Sequence, residues 1–138
     1  MNYARRACIL LAPAVLACSD EGPSAVGSFS LVQVDGTQLP YLYPFSDVRY
    51  HAGTLTIRAD GTFSDVIAWT DGAGAHNSNE FGTWTQGGDA IHLQYSPGGT
   101  NCPLQTGPCA AGEYHASLTT GFLSKTRVES ALLRYRRQ

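Results

Sequence analysis

The sequence predicts an all-β chain: a small up-and-down antiparallel barrel of about eight strands behind an N-terminal signal segment. Three observations carry this. Helical periodicity is scarce after the leader, while runs rich in Val, Ile, Thr, Tyr, Phe and Trp recur between Gly, Asp and Asn. Asp60-Gly61 and Gly87-Gly88 lie between such runs, where a two-residue hairpin needs φ > 0. The runs also alternate apolar with polar side chains, and one-sided strands must close into a barrel or pair into a sandwich to bury the apolar face. An immunoglobulin-like sandwich is the structural alternative.

At 138 residues, 43% hydrophobic and 14% charged, the chain fits one compact domain. A net charge of -2 supplies no basic field for nucleic acid, so none is expected as a partner. No apolar run reaches the roughly 20 residues of a membrane-spanning helix.

Taken in order, the first element is a leader. Arg5 and Arg6 precede an apolar stretch from Ala7 to Leu16, the charge-then-apolar layout of an export signal. It ends Val15-Leu16-Ala17-Cys18, which resembles the lipobox of bacterial lipoproteins. The resemblance implies cleavage before Cys18 and lipidation of its thiol, palmitate included. Ser19 after the Cys, with no Asp there, implies sorting to the outer membrane. An ordinary secretory signal with a chance Cys is the bland alternative. The twin-arginine route lacks its Ser and Phe, since Ala4 and Ala7 flank the Arg pair. Cleavage after residue 17 removes both Arg and takes the net charge to -4. Buried acyl CH2 groups contribute about 0.8 kcal/mol each, so two or three chains anchor a protein firmly. The expected organisation is therefore signal 1–17, lipidated Cys and polar tether 18–26, and one β domain 27–138.

Strands are expected at roughly 28–34, 53–59, 61–69, 80–86, 89–95, 112–119 and 127–136. Leu55 and Ile57 alternate with Thr54, Thr56 and Arg58, and Ile91, Leu93 and Tyr95 with His92 and Gln94. Residues 71–79 look too polar to pack and read as a mobile hairpin loop. A meander leaves two free edges unless its first strand meets its last, so residues 28–34 are expected beside 127–136.

Gly27-Ser28-Phe29, then Asp60-Gly61-Thr62-Phe63, then Gly82-Thr83-Trp84 and a basic C-terminus resemble the small lipocalin-like domains of bacterial outer-membrane lipoproteins. The resemblance implies a barrel with an apolar site for a small ligand. Phe29 stands where lipocalins proper carry Trp, and Arg134 or Arg136 is the expected cover for its ring. Tyr41, Tyr43 and Phe45 fall in a connection that can cover an open barrel end in such domains. With Phe63, Trp69 and Tyr114 they are the candidates to line a ligand site; as ordinary core they plug that end. The inner-face residues Phe63, Ile67, Trp69, Ile91, Leu93, Tyr114 and Leu118 are bulky, which leans toward a filled barrel.

Few residues promise chemistry. With Cys8 lost and Cys18 lipidated, Cys102 and Cys109 remain in one Pro/Gly-rich loop, and a disulfide there contributes roughly 2–3 kcal/mol. His92 and His115 should point to solvent as solvated surface side chains, and the alternative is that pairing of their strands brings the two imidazoles together to bind a surface metal. No HxxxH or carboxylate–histidine spacing supports a zinc site, so neither metal nor cofactor is expected. No Gly-x-Ser-x-Gly elbow or ordered triad appears, and no catalytic residue or enzyme activity is expected. Asp65 shares strand parity with Phe63, Ile67 and Trp69, which points it inward, but a bulge that turns it outward is the commoner arrangement for such a residue. The reading is a monomeric, membrane-anchored envelope lipoprotein, either a carrier of a small apolar ligand or a filled barrel for structural or protein contacts.

Overall fold

The computed structural model describes residues 23–104, 109–126 and 131–138, so the leader and Cys18 lie outside the described residues. Ten strands form one antiparallel sheet: β1 (Gly27–Val34), β2 (Thr37–Gln38), β3 (Tyr41–Leu42), β4 (Arg49–Ile57), β5 (Thr62–Asp71), β6 (Gly74–Gly87), β7 (Ala90–Tyr95), β8 (Gly112–Thr119), β9 (Phe122–Thr126) and β10 (Leu132–Arg137). No helix occurs among the described residues. β1 and β4 to β10 make an eight-stranded closed ring, with β2 and β3 outside it. First strand and last do meet, with Phe29 opposite Arg137 and Val34 opposite Leu133. The other edge of β1 pairs with β4, Gly27 opposite Ile57, and no edge of the ring is left open.

Tight turns close one end. Gly61, at φ 83°, turns β4 into β5, and Asp60 Oδ1 accepts from the Thr62 amide at 2.9 Å and the Thr62 hydroxyl at 2.7 Å. Those two bonds, the hydroxyl first, hold the Asp60 carboxyl below the usual carboxylate range. Gly88 at φ 60° and Gly121 at φ 77° serve the β6–β7 and β8–β9 turns in the same way. The described chain also begins at this end. Gln86 holds the Ala25 amide and the Pro23 carbonyl, while Arg137 donates to the carbonyls of Ser24 and Val26. Its guanidinium lies 4.8 Å from the centre of the Phe29 ring. The expected cation over Phe29 is thus present but is Arg137; Arg134 sits on Phe122 instead, at 4.1 Å. The register explains the correction, because Arg137 is the residue directly opposite Phe29.

Long connections close the other end. β6 has fourteen residues against six in β7, so its first half outruns its neighbour. The loop after β7 covers that exposed edge: Asn79 and Thr100 exchange backbone hydrogen bonds at 3.0 Å each. Cys102 and Cys109 are disulfide-bonded in this loop, with Cα atoms 5.3 Å apart.

Two strand expectations need correction. Residues 71–79 are not a loop: β5 and β6 stay paired out to Asp71 and Gly74. Polar side chains do not prevent pairing, because the ladder satisfies the backbone and local partners satisfy the side chains. Asp71 Oδ1 accepts from the amides of Ala73 and Gly74 and from His76 Nε2, and His76 stacks on Trp69 at 4.3 Å. The last expected strand, 127–136, corresponds among the described residues to β10 from Leu132, with 127–130 outside the described residues, and β9 (Phe122–Thr126) is a strand that was not expected.

The ring is solid. Phe29, Leu55, Ile57, Phe63, Ile67, Ile91, Leu93, Leu118, Leu123, Leu133 and Tyr135 are all essentially inaccessible. Each such aliphatic or Phe side chain contributes about 1.5–3 kcal/mol through burial. Backbones also approach closely: a Cβ on Gly82 would lie 1.9 Å from the Gln94 carbonyl oxygen and 2.9 Å from the Phe63 ring.

Candidate functional site

The inward parity of four strands assembles one polar cluster inside this apolar ring. On β5 the buried positions are Phe63, Asp65, Ile67 and Trp69, so no bulge turns Asp65 out; it is wholly inaccessible. Tyr95 continues the Ile91, Leu93 row of β7. Lys125 follows Leu123 on β9, and Tyr135 follows Leu133 on β10. All four meet near the barrel axis.

The Asp65 carboxylate is the hub. The Tyr95 hydroxyl donates to Oδ2 at 3.1 Å, and the Tyr135 hydroxyl donates to Oδ1 at 3.1 Å. The Lys125 ammonium pairs with Oδ2 and also donates to the Tyr95 oxygen. Its Nζ lies 5.0 Å and 5.6 Å from the centres of the Tyr95 and Tyr135 rings. Phe63 and Tyr114 both meet Tyr95 edge to face at 4.8 Å. Burying an ion pair costs desolvation free energy that only good geometry and further hydrogen bonds offset. Here two hydroxyls and an ammonium supply them.

Glu80, also buried, faces Asp65 across the β5–β6 register. It lines a narrow gap with Tyr95, Tyr114 and Lys125 that is too small to seat a water molecule. Asp, Lys and Tyr are competent for proton transfer, yet such chemistry needs a reacting molecule within hydrogen-bond reach. Among the described residues, the space beside the cluster seats no such molecule. The cluster ties β5, β7, β9 and β10 together across the ring.

The residues expected to line a ligand site are not gathered at one place. Phe63 and Tyr114 flank the polar cluster. Trp69 is buried at the long-connection end, where its indole nitrogen donates to the Asn101 carbonyl at 2.9 Å. Tyr41 is buried between Tyr43 and Tyr50, with centroids 6.4 Å and 6.3 Å away. Its hydroxyl donates to Asp35 Oδ2 at 3.1 Å; burial, then the Asp35 carboxylate, hold its pKa above the usual phenol value. Phe45 projects entirely into solvent from a backbone at φ 61°. The first two aromatics of that connection therefore plug the barrel end, and the third does not.

A larger space of about 410 Å3 lies outside the ring, bounded by Gln33, Gln38, Leu39, Phe122, Arg134 and Arg136. Its walls are mostly polar, unlike an apolar carrier site. No protein-family model, curated protein or solved structure matches this chain. Sequence reasoning noted the inward parity of Asp65 but favoured a bulge that turns it out, which the structure corrects, and it missed Lys125 and Tyr135 as its partners. The signal for Lys125 was present in Leu123 two residues earlier, within a short strand that the reading did not recognise.

Proposed function

We propose that the chain is an envelope lipoprotein, lipidated at Cys18 and held at the outer membrane, whose filled barrel presents a surface to other envelope components. One observation carries the choice between a filled module and an apolar carrier. The barrel axis is occupied by the Asp65–Lys125–Tyr95–Tyr135 cluster and the apolar side chains around it. A carrier needs an apolar cavity of roughly 300 Å3 or more.

The lipobox supports the anchor, and the disulfide suits an exported chain. Cys18 precedes Pro23 by five residues, a reach of at most about 18 Å. Residues 23–26 are strapped to the tight-turn end, which supports an orientation with that end toward the bilayer. The long-connection end, with exposed Leu42 and Phe45, then points to a partner.

Two measurements test this. Labelled palmitate should mark the wild type and not Cys18→Ser; equal labelling removes the anchor. Native mass spectrometry of full-length protein from envelopes should give the lipidated mass alone. A reproducible additional lipid-like adduct would replace the filled module with an apolar carrier.

A further inference from the structure

The outer wall of the barrel carries a second cluster, unrelated to the interior and independent of the lipoprotein reading. His92 on β7 and His115 on β8 stand directly opposite each other. Their rings stack with centroids 4.8 Å apart and 26° between planes. Glu113 lies two residues before His115, hence on the same face of β8, and its carboxylate rests against Nε2 of His92. One donor atom from each of the three lies within 4.8 Å of the other two; His115 and Glu113 are exposed and His92 is half-buried, its Nε2 atom covered and without a hydrogen bond.

We propose that His92, His115 and Glu113 form a binding site for a divalent first-row transition-metal ion. Two imidazoles and one carboxylate favour Cu2+ or Zn2+ over Mg2+ or Ca2+, and Cu2+ should bind most tightly. Metal–ligand bonds of about 2.0–2.2 Å place donor atoms roughly 3–4 Å apart, so modest rotations of exposed side chains close the set. Water fills the remaining positions, and the Glu113 charge offsets part of the ion's. The strands supply the rigidity: facing Cβ atoms on antiparallel neighbours are held about 4.5–5.5 Å apart. The strand on the other side of His92 presents Thr85, which carries no charge. The remaining histidines are engaged elsewhere, His51 with Thr70 and His76 with Asp71. Linear spacing hides the site because its ligands come from two strands separated by the disulfide loop.

Titrating the full-length protein in detergent with Cu2+ alone, and separately with Zn2+, tests the proposal by calorimetry. One saturable site at micromolar concentration is expected, and Cu2+ bound there should show nitrogen coupling in its electron paramagnetic resonance spectrum. Loss of an outer-shell partner of a metal site costs about 10–100-fold, so loss of a ligand in His92→Ala or His115→Ala should weaken binding at least as much. Glu113→Gln should weaken it less, and His76→Ala should leave it unchanged. Without metal the His92, His115 and Glu113 variants should melt as the wild type does, and the metal-induced rise in melting temperature should vanish in the His92→Ala/His115→Ala double variant. No saturable binding of either ion, or binding unchanged in that double variant, overturns the site.

Discussion

The wall made by β7, β8 and β9 carries basic nitrogens and carboxylates near both its faces, and the two faces use them in opposite ways. Inside, Lys125 meets Asp65, two tyrosyl hydroxyls complete the carboxylate's shell, and the gap beside them admits no water. Outside, His92, His115 and Glu113 are in contact but open to solvent. Buried, a charge is tolerable only when its partners are already in place, so the inner cluster is complete and unavailable. Exposed, similar groups are loosely coupled energetically and free to exchange partners. Solvent access rather than residue type separates a structural tie from a candidate binding site.

The inner face should be the costlier one to damage. Lys125→Met leaves Asp65 buried without its cation, and should destabilise the domain by about 3–5 kcal/mol in urea unfolding. Adding Asp65→Leu should recover most of that loss, since a matched apolar pair is often neutral. A double variant as unstable as the single would mean that the cluster does more than tie strands together. Next in size, Gly82→Ala should cost about 1–3 kcal/mol, because its Cβ would overlap the Gln94 carbonyl and the chain would have to shift. A wild-type midpoint for that variant would show more slack in this wall than the packing allows.

On the outer face the metal-free His92→Ala/His115→Ala variant should stay within about 0.5 kcal/mol of wild type. A larger loss would make the stacked pair structural and blunt the contrast. The smallest effect is expected at the β5–β6 tip. His76 first, then the Ala73 and Gly74 amides, hold the Asp71 carboxyl below its ordinary value. A depressed folded-state pKa stabilises above the unfolded pKa, and that contribution disappears as pH falls through the folded one. Amide exchange at Ala73 and Gly74 should therefore quicken on acidification, and Asp71→Asn should remove that pH dependence.

Much of the fold was legible because its cause is local. The Asp60-Gly61 turn, the alternation in Leu55-Thr56-Ile57 and in Ile91-His92-Leu93, and the demand for closure each rest on neighbours in sequence. The tip at 71–79 misled for the same reason: its polarity is real, but Trp69 under His76 and the ladder to β5 outweigh it. Phe122–Thr126 was missed since five residues, two of them Ser and Lys, show too little alternation to stand out.

By itself, the sequence determined the all-β class, the hairpin turns, the Cys102–Cys109 pair and the meeting of first strand with last. Each follows from a period of two, a turn residue or a short separation along the chain. Only the tertiary structure decided which groups meet across it. Lys125 reaches Asp65 over sixty residues, Arg137 rather than Arg134 or Arg136 covers Phe29, and His92 faces His115. Those choices depend on strand register, and a register is set only when the whole ring closes and every apolar row must face the same interior.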